Sequence, residues 1–592
     1  MTPKSSPLQG FLVALSDNAV CQGWPAAEVA DGASVWFHGY LAEPARLCAE
    51  LGLDRRASAG RIVSAAWRRW RTAVTERVIG EYAALRVADS DAVLMGDQMG
   101  LRPLYIATRP SGIVVSTDLG ALARETGAWR ELDEEYLADL LAAGIHLGTR
   151  TPYRTIRRLG MGEFAAWRSG RLTVTGGWRP TVAPIPGTAR EHEERLRTTV
   201  EGAVAGAMPT HGVAAVELSG GLDTSTVLAV AARQAPVEAV SFVHPGSPGS
   251  DESAWIQEAL QATPVRWHPI DATKHGIFAA GPDFGTFLAA PSRRILNWAS
   301  TEAEDDITAR LGASTILTGE GGDAVFLAGL LPWYLADLLR TGRWARLHKE
   351  MKAWDAQSDV RRSATFWLRR SAIDGLRRWR EGRTLTLHPP RPLSAMAPWL
   401  ARAYVDAYRL QDRTDRTTSL RASSVHAQAA VENVVRCAEF ARSRQIIPSR
   451  TADTRHPLLA PALVELAIRT PWEVGVDPRI DRAVQRYAFA GVVSDSVLRR
   501  RSKTIADEAV VNGFRRHPRW QEYLRDNPLI VQRGYVEADT WSRALHSVGR
   551  SGSVAQLYSA IQIEVWLRHL SAAGNPVLIG SADGPPRNSR HY

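Results

Sequence analysis

Seven consecutive residues, Ser219-Gly220-Gly221-Leu222-Asp223-Thr224-Ser225, have the types needed to grip a phosphate. Two glycines let backbone N–H groups approach an anion closely, the hydroxyls add donors, and the start of a helix adds a favourable dipole. A loop that transfers a terminal phosphoryl group reads GxxxxGK[ST]; no lysine stands here, so that transfer is not expected. A second acidic glycine loop, Gly319-Glu320-Gly321-Gly322-Asp323, lies further along the chain. Each loop carries an aspartate, Asp223 and Asp323.

The elements that must position these loops are legible as a change of pattern. Residues 11 to about 180 alternate short apolar runs (FLVAL, SVWFHGYL, YAALRVAD, AVLMGD, PLYIAT, GIVVST) with Gly and polar turns, the signature of a strand-rich layered domain. One helix is expected near Ser64 to Val78. A Pro/Gly-rich stretch, WRPTVAPIPGT, follows and reads as a linker. Beyond it, GVAAVEL (212–218), VEAVSFVH (237–244), VRWHPI (265–270) and the start of ASTILTGEGGD (313–323) read as strands, and TSTVLAVAARQ (224–234) and a run from about Asp251 read as helices. Strands separated by helices imply a parallel sheet whose ligand site lies at the carboxyl ends of the strands. Both glycine loops fall at such ends. After about Leu330 the pattern is largely helical, and no internal repeat occurs.

Composition bounds the reading. A chain of 592 residues is too long for one ordinary core. Lys plus Arg outnumber Asp plus Glu by 72 to 62, and eight Arg fall from Arg361 to Arg383 beside only Asp374 and Glu381. That stretch reads either as a solvated helical face or as a surface for an acidic partner. Cys21, Cys48 and Cys437 are far apart and fit neither a disulfide framework nor a zinc spacing. No segment has the apolar length of a secretory signal or a membrane span, so a cytoplasmic protein without membrane or nucleic-acid partners is expected.

Taken together, SGGLDTS resembles the SGGxDS pyrophosphate loop of the ATP pyrophosphatases, and GEGGD resembles the GEGxDE loop of the asparagine synthetase (class B) superfamily, with Ala324 in place of the second acid. Three further segments follow in the family's order. TRHPLLA (454–460) resembles ExRxPFLD, RAVQRYA (482–488) resembles KxxLRxA, and RRRSKT (499–504) resembles the RxK segment. In the first domain GEYAALRVAD (80–89), GDQMGLRPLYIA (96–107) and VVSTDLGAL (114–122) resemble GdFAfaiwD, RDxxGxrPLYY and FASExkAL. The resemblance implies an α/β architecture. A degenerate Ntn-hydrolase-like αββα domain (1–180) would be followed by a linker (181–188) and an ATP-pyrophosphatase (HUP-like) parallel-sheet synthetase domain with a large helical C-terminal part (189–575). A disordered tail (576–592) would end the chain.

The same resemblance implies ATP and Mg2+ as cofactors, with Asp223 and Asp323 as metal ligands. It implies a nucleotide and pyrophosphate site made of Leu218, Ser219, Gly220, Gly221, Asp223, Thr224, Ser225, Phe242, Val243, Gly319 and Lys503. Lys503 matches a lysine that stabilises charge at the reacting centre of the related β-lactam synthetases. Glu320 either contacts substrate or shapes its loop, and Glu439 is a candidate acid for orienting an amine. Departures narrow the reading. Glutamine-dependent members begin Met-Cys, whereas residue 2 here is Thr, and HGYLAE (38–43) replaces the NGEIYN glutamine-pocket segment. The first domain is therefore expected to be a retained scaffold. The chain most resembles the lasso-peptide macrolactam synthetases (lasso cyclases), through its length, the AVFLAG…PWYLADLLR sequence after Asp323, and the 116-residue step from Asp323 to Glu439. That implies a precursor (core) peptide as substrate, with a leader-binding protein and a leader peptidase as partners. A small-molecule amide or β-lactam synthetase, or an ammonia-dependent enzyme of the asparagine synthetase type, remains the other reading.

Overall fold

The computed structural model describes residues 10–574 except 17–19, 89–90, 284–286, 329–331, 358–362, 386–396, 415–417, 419, 502–506 and 549–553. Lys503 and the expected tail at 576–592 lie outside the described residues.

Eleven strands of the first half are β1 (Leu12–Leu15), β2 (Val20–Trp24), β3 (Glu28–Ala30), β4 (Ala33–Leu41), β5 (Gly80–Ala88), β6 (Asp91–Gly96), β7 (Tyr105–Arg109), β8 (Gly112–Ser116), β9 (Ile156–Arg158), β10 (Glu163–Arg168) and β11 (Arg171–Gly176). They form two antiparallel sheets, ordered β2-β1-β8-β7-β9 and β11-β10-β6-β5-β4-β3. The period of two in the sequence makes the layers. Ala83, Leu85 and Leu94 enter the core between the sheets with Ile106, Ile113 and Val115. Their neighbours Tyr82, Ala84, Val93 and Met95 enter a second core beneath the helices Pro44–Leu51 and Ala59–Trp70. The helices Leu119–Thr126 and Glu134–Ala143 cover the other sheet through Tyr105, Ala107 and Val114. The result is an αββα stack of the Ntn type. Each strand of the sequence reading is present. The single expected helix at 64–78 begins earlier, at Ala59, capped by Ser58, and the other three helices were missed because their apolar stripes are short.

The second half opens on the helix Ala189–Ala207, whose Thr188 and Glu191 form a reciprocal capping box. Its sheet contains β12 (Val213–Glu217), β13 (Val237–Val243), β14 (Arg266–Asp271), β15 (Ala313–Leu317) and β16 (Asp453–Arg455), in the order β14-β13-β12-β15-β16 and parallel throughout. The strand order turns from one side of β12 to the other between β13 and β15. That is the switch point at which open α/β sheets hold ligands. β16 falls in the TRHP segment, which periodicity alone had not identified as a strand: three residues give too little pattern. In the Arg-rich stretch, Arg370, Arg377 and Arg378 converge on Asp374 at 3.2, 2.7 and 3.1 Å, and Arg378 is buried. Cys48 and Cys437 are free thiols, and burial pushes the Cys437 thiol up to about 12.

One apolar core crosses between the halves. It joins Leu122, Leu137 and Tyr153 to Phe278, Trp520, Ile561 and Trp566, so the C-terminal helix Val554–Ala572 rests on the layered domain. Trp566 is fully buried, with its ring centroid 6.1 Å from that of Tyr153. Trp566→Ala is expected to cost about 3–5 kcal/mol. Scanning calorimetry should show one cooperative transition moved to lower temperature; two transitions, of which only one moves, would contradict a shared core.

Candidate active site

The first loop leaves β12 and enters the helix Leu222–Ala232, so its N–H groups face the helix start. Gly220 has φ 71°, and a Cβ there would lie 2.7 Å from the Trp255 side chain and 2.8 Å from Ile256 N. Only glycine fits both conditions. Ser219 N–H donates to Thr224 Oγ1 at 3.1 Å, and the Ser219 and Thr224 hydroxyls lie 3.1 Å apart, which closes the turn. Arg500 braces it by donating to Gly220 O at 3.2 Å, with its guanidinium 4.7 Å over the Trp255 ring. Leu218 N–H pairs with Val240 O, which ties the loop to β13, and Phe242 and Val243 end that strand on the same side of the sheet.

The second loop follows β15 and interlocks with the first. A Cβ on Gly319 would stand 2.7 Å from Thr224 Cγ2, and one on Gly322 would stand 2.2 Å from Asp223 Cγ. Gly319 and Gly322 of GEGGD are therefore set by contact with SGGLDTS, a constraint that no spacing rule contains, whereas Gly321 is set by Leu459 and its own φ of 95°. Through this contact Asp223 and Asp323 face one cation. Arg482 Nη1 donates to both Asp223 oxygens at 2.7 Å, and its Nη2 donates to Asp323 Oδ1. Gln485 Nε2 adds a bond to Asp223 at 3.2 Å. Arg482 holds φ 57°, a left-handed conformation unusual outside glycine, as it caps the helix Ala483–Ala488. Burial raises the Asp223 pKa, Arg482 opposes that rise and Asp323 adds to it. Two hard oxygen donors on separate loops suit Mg2+ bound jointly with phosphates.

Behind the loops lies a buried ionic network. Arg444 donates Nε to Glu320 Oε1 at 2.6 Å, and its two terminal nitrogens reach both Glu217 oxygens at 2.7 and 2.9 Å. Glu217 ends β12, directly before the first loop. Burial, with Glu217 adding to it, pushes the Glu304 carboxyl up to about 8. His456 follows β16 and stands between Glu320 and Glu81 of β5. Burial disfavours its charged form, yet the two acids raise its pKa to about 9. Glu320 is held well below the usual carboxylate range: burial acts against the anion, and Arg444 and His456 override it.

Glu439 sits elsewhere in this arrangement. Its oxygens accept from Arg158 of β9 at 3.2 and 3.0 Å and from Arg442, at the junction of the halves. The acids that Arg444 joins at the loops are Glu320 and Glu217. A cavity of about 290 Å³ opens at the same junction, lined by His38, Arg102, Asp118, Arg294 and Arg444 among others. The sequence reading had not picked out Arg482, Arg444, Glu217 or His456 as site residues. The signal for Glu217 was an acid closing an apolar strand just before SGG; Arg444 carried none.

With this geometry in place, comparison with known proteins is direct. Residues 195–568 match the asparagine synthase family model, and residues 48–178 match the glutamine amidotransferase domain. The chain belongs to the asparagine synthase family, a family of ATP-dependent ligases that form amide bonds and release AMP and pyrophosphate. Putative glutamine-hydrolysing asparagine synthetases of Mycobacterium bovis and Mycobacterium tuberculosis are each 26% identical over 325 residues, covering 51% of this chain and 48% of theirs. The chain thus spans about half the length of the curated relatives it matches. The solved glutamine phosphoribosylpyrophosphate amidotransferase from B. subtilis aligns over 52% of this chain and 84% of its own at 11% identity and TM-score 0.22, too slight a likeness to bear on function.

Two outcomes test the site. Gly322→Ala is expected to displace Asp223, to weaken ATP binding by about tenfold or more in calorimetric titration, and to lower the melting temperature by the equivalent of about 1–3 kcal/mol of overpacking. For Glu304 the folded pKa lies above the unfolded value. Its contribution to stability is therefore full below the unfolded value and falls as pH rises through about 8. Glu304→Gln, which mimics the neutral carboxyl, should melt close to the parent at acid pH and above it past pH about 8.

Proposed function

We propose that the protein is an ATP-dependent macrolactam (isopeptide) synthetase acting on a precursor peptide. The observation that carries the adenylating chemistry is the interlocking of the two glycine loops, which brings Asp223 and Asp323 onto one guanidinium at the sheet's switch point. Mg2+ held by these two aspartates would neutralise phosphate charge. The SGGLDTS backbone and hydroxyls would grip the β,γ-pyrophosphate, and Arg482 would complete the cationic surroundings. An Asp or Glu side-chain carboxylate of the peptide attacks the α-phosphate, and pyrophosphate departs to leave an acyl adenylate. The peptide's N-terminal amine then attacks the acyl carbon, AMP leaves, and the amine proton passes to solvent or a nearby acceptor. Lys503, by its resemblance, would stabilise the oxyanion. An α-amine has a pKa of about 7.7–8.0, so near neutrality a useful fraction is already a free nucleophile and positioning dominates the step.

Two observations support a substrate amine other than ammonia released from glutamine. The segment that replaces the glutamine pocket is engaged in structure: Tyr40 donates to Glu81 at 3.3 Å, and the Arg455 guanidinium lies 4.0 Å over the Tyr40 ring. The junction cavity, with His38 in its wall, offers room beside Arg444. The curated relatives' names favour a second reading, an amide synthetase for a small acid.

Intact mass after incubation with ATP, Mg2+ and a candidate leaderless peptide separates the readings. A peptide lighter by one water, with pyrophosphate released in equal amount, is the expected result. Amide formed only from aspartate or another small acid with ammonia would overturn the peptide reading and leave adenylation in place.

A further inference from the structure

Glu320 belongs to the synthetase half, yet the contacts that hold it begin in the layered half. Glu81 lies on β5, paired with Tyr40 of β4, and is 3% exposed. Its Oε1 accepts from the backbone N–H of His456 at 2.6 Å, and its Oε2 stands 3.2 Å from His456 Nδ1. His456, 1% exposed, presents Nε2 to Glu320 Oε2 at 3.4 Å, and neither atom has a hydrogen-bond partner among the described residues. The other Glu320 oxygen is taken by Arg444.

Buried charges are retained only where they are paired, because desolvating each of them is expensive. A hydrophobic pair would join the two halves more cheaply than Glu81 and His456 do. The ring is hydrogen-bonded at Nδ1 to Glu81 and faces Glu320 at ion-pair distance through Nε2, so its orientation is set by Glu81 and its charge by both acids. We propose that Glu81 and His456 are positioning residues that hold the Glu320 carboxylate in place beside the second glycine loop. The amidotransferase-like half thereby forms part of the synthetase site. This rests on reading the Gly319–Asp323 loop as part of the reaction centre. Removing that half would remove Glu81 and leave His456 buried against a single acid.

The groups facing the imidazole are Glu81 from β5 and Glu320 from the loop. Around them stand Arg102, 3.7 Å from Glu81, the Tyr40 hydroxyl bonded to Glu81, and Arg444 on Glu320. Because His456 titrates at about 9, the arrangement holds its charge through neutral pH and loses it on the alkaline side.

The test has two arms on the full-length protein. In the first, histidines are labelled with 15N and the His456 imidazole signal, identified by its loss in His456→Phe, is titrated by NMR without nucleotide. The parent should titrate near 9, and Glu81→Gln and Glu320→Gln should each lower that value. Titration at the ordinary value of about 6.5, or indifference to Glu320→Gln, overturns the proposal. In the second arm, pyrophosphate release is followed against pH with whichever acid substrate is turned over. Glu81→Gln should lower kcat about tenfold with the KM for ATP within about twofold, and should move the alkaline limb toward neutrality. A Glu81→Gln protein that melts earlier but keeps the parent kcat and pH profile also overturns it. If no acid substrate is turned over, the functional reading fails, and the titration alone decides the positioning role.

Discussion

The site depends on a like-charge conflict resolved by one side chain. Asp223 and Asp323 come from loops at the ends of neighbouring strands, and the contact of Gly322 with Asp223 packs those loops against each other. Arg482 answers both carboxylates with a single planar fork, a geometry that a lysine cannot supply. Its backbone sits in the left-handed region to do so. The Asp223 arm of this arrangement is largely buried and the Asp323 arm is half exposed, so the first contributes little net stability yet is costly to break, and the second is screened by water.

A second set of charges ties this centre to the rest of the molecule. Arg444 links the strand end before the first loop, at Glu217, to the second loop, at Glu320. From Glu320 the contacts run through His456 to Glu81 and Tyr40, and beside them Arg102 reaches Asp453 of β16. The layered half and the synthetase half are thus joined by an apolar core on one side and by ion pairs on the other. The apolar core supplies adhesion without direction, whereas the ion pairs fix relative orientation, since each needs its partners within hydrogen-bond reach.

Much of this was legible early. The alternation in YAALRVAD and AVLMGD placed β5 and β6 and decided which residues would face which core, because a strand has a period of two. Helices with short stripes, such as Pro44–Leu51, and the three-residue strand Asp453–Arg455 were not legible: too few residues carry a period. Among candidate site residues, Ser219 to Ser225 and Gly319 to Asp323 lie where strand ends put them. Glu439 was nominated on sequence order, and the fold gives its carboxylate to Arg158 and Arg442.

By itself the sequence determined what could be settled locally: the phosphate-gripping loop, its place between strand and helix, and the glycines whose conformational freedom the turns need. These depend on neighbouring residues and on backbone sterics, which the chain carries wherever it goes. Only the tertiary structure decided that Gly322 has to be a glycine because Asp223 lies against it, that Arg482 bridges residues 259 and 159 positions away, and that Glu81 reaches Glu320 through His456. Those are contacts between distant segments. Their charges become decisive once burial removes the water that would otherwise screen them.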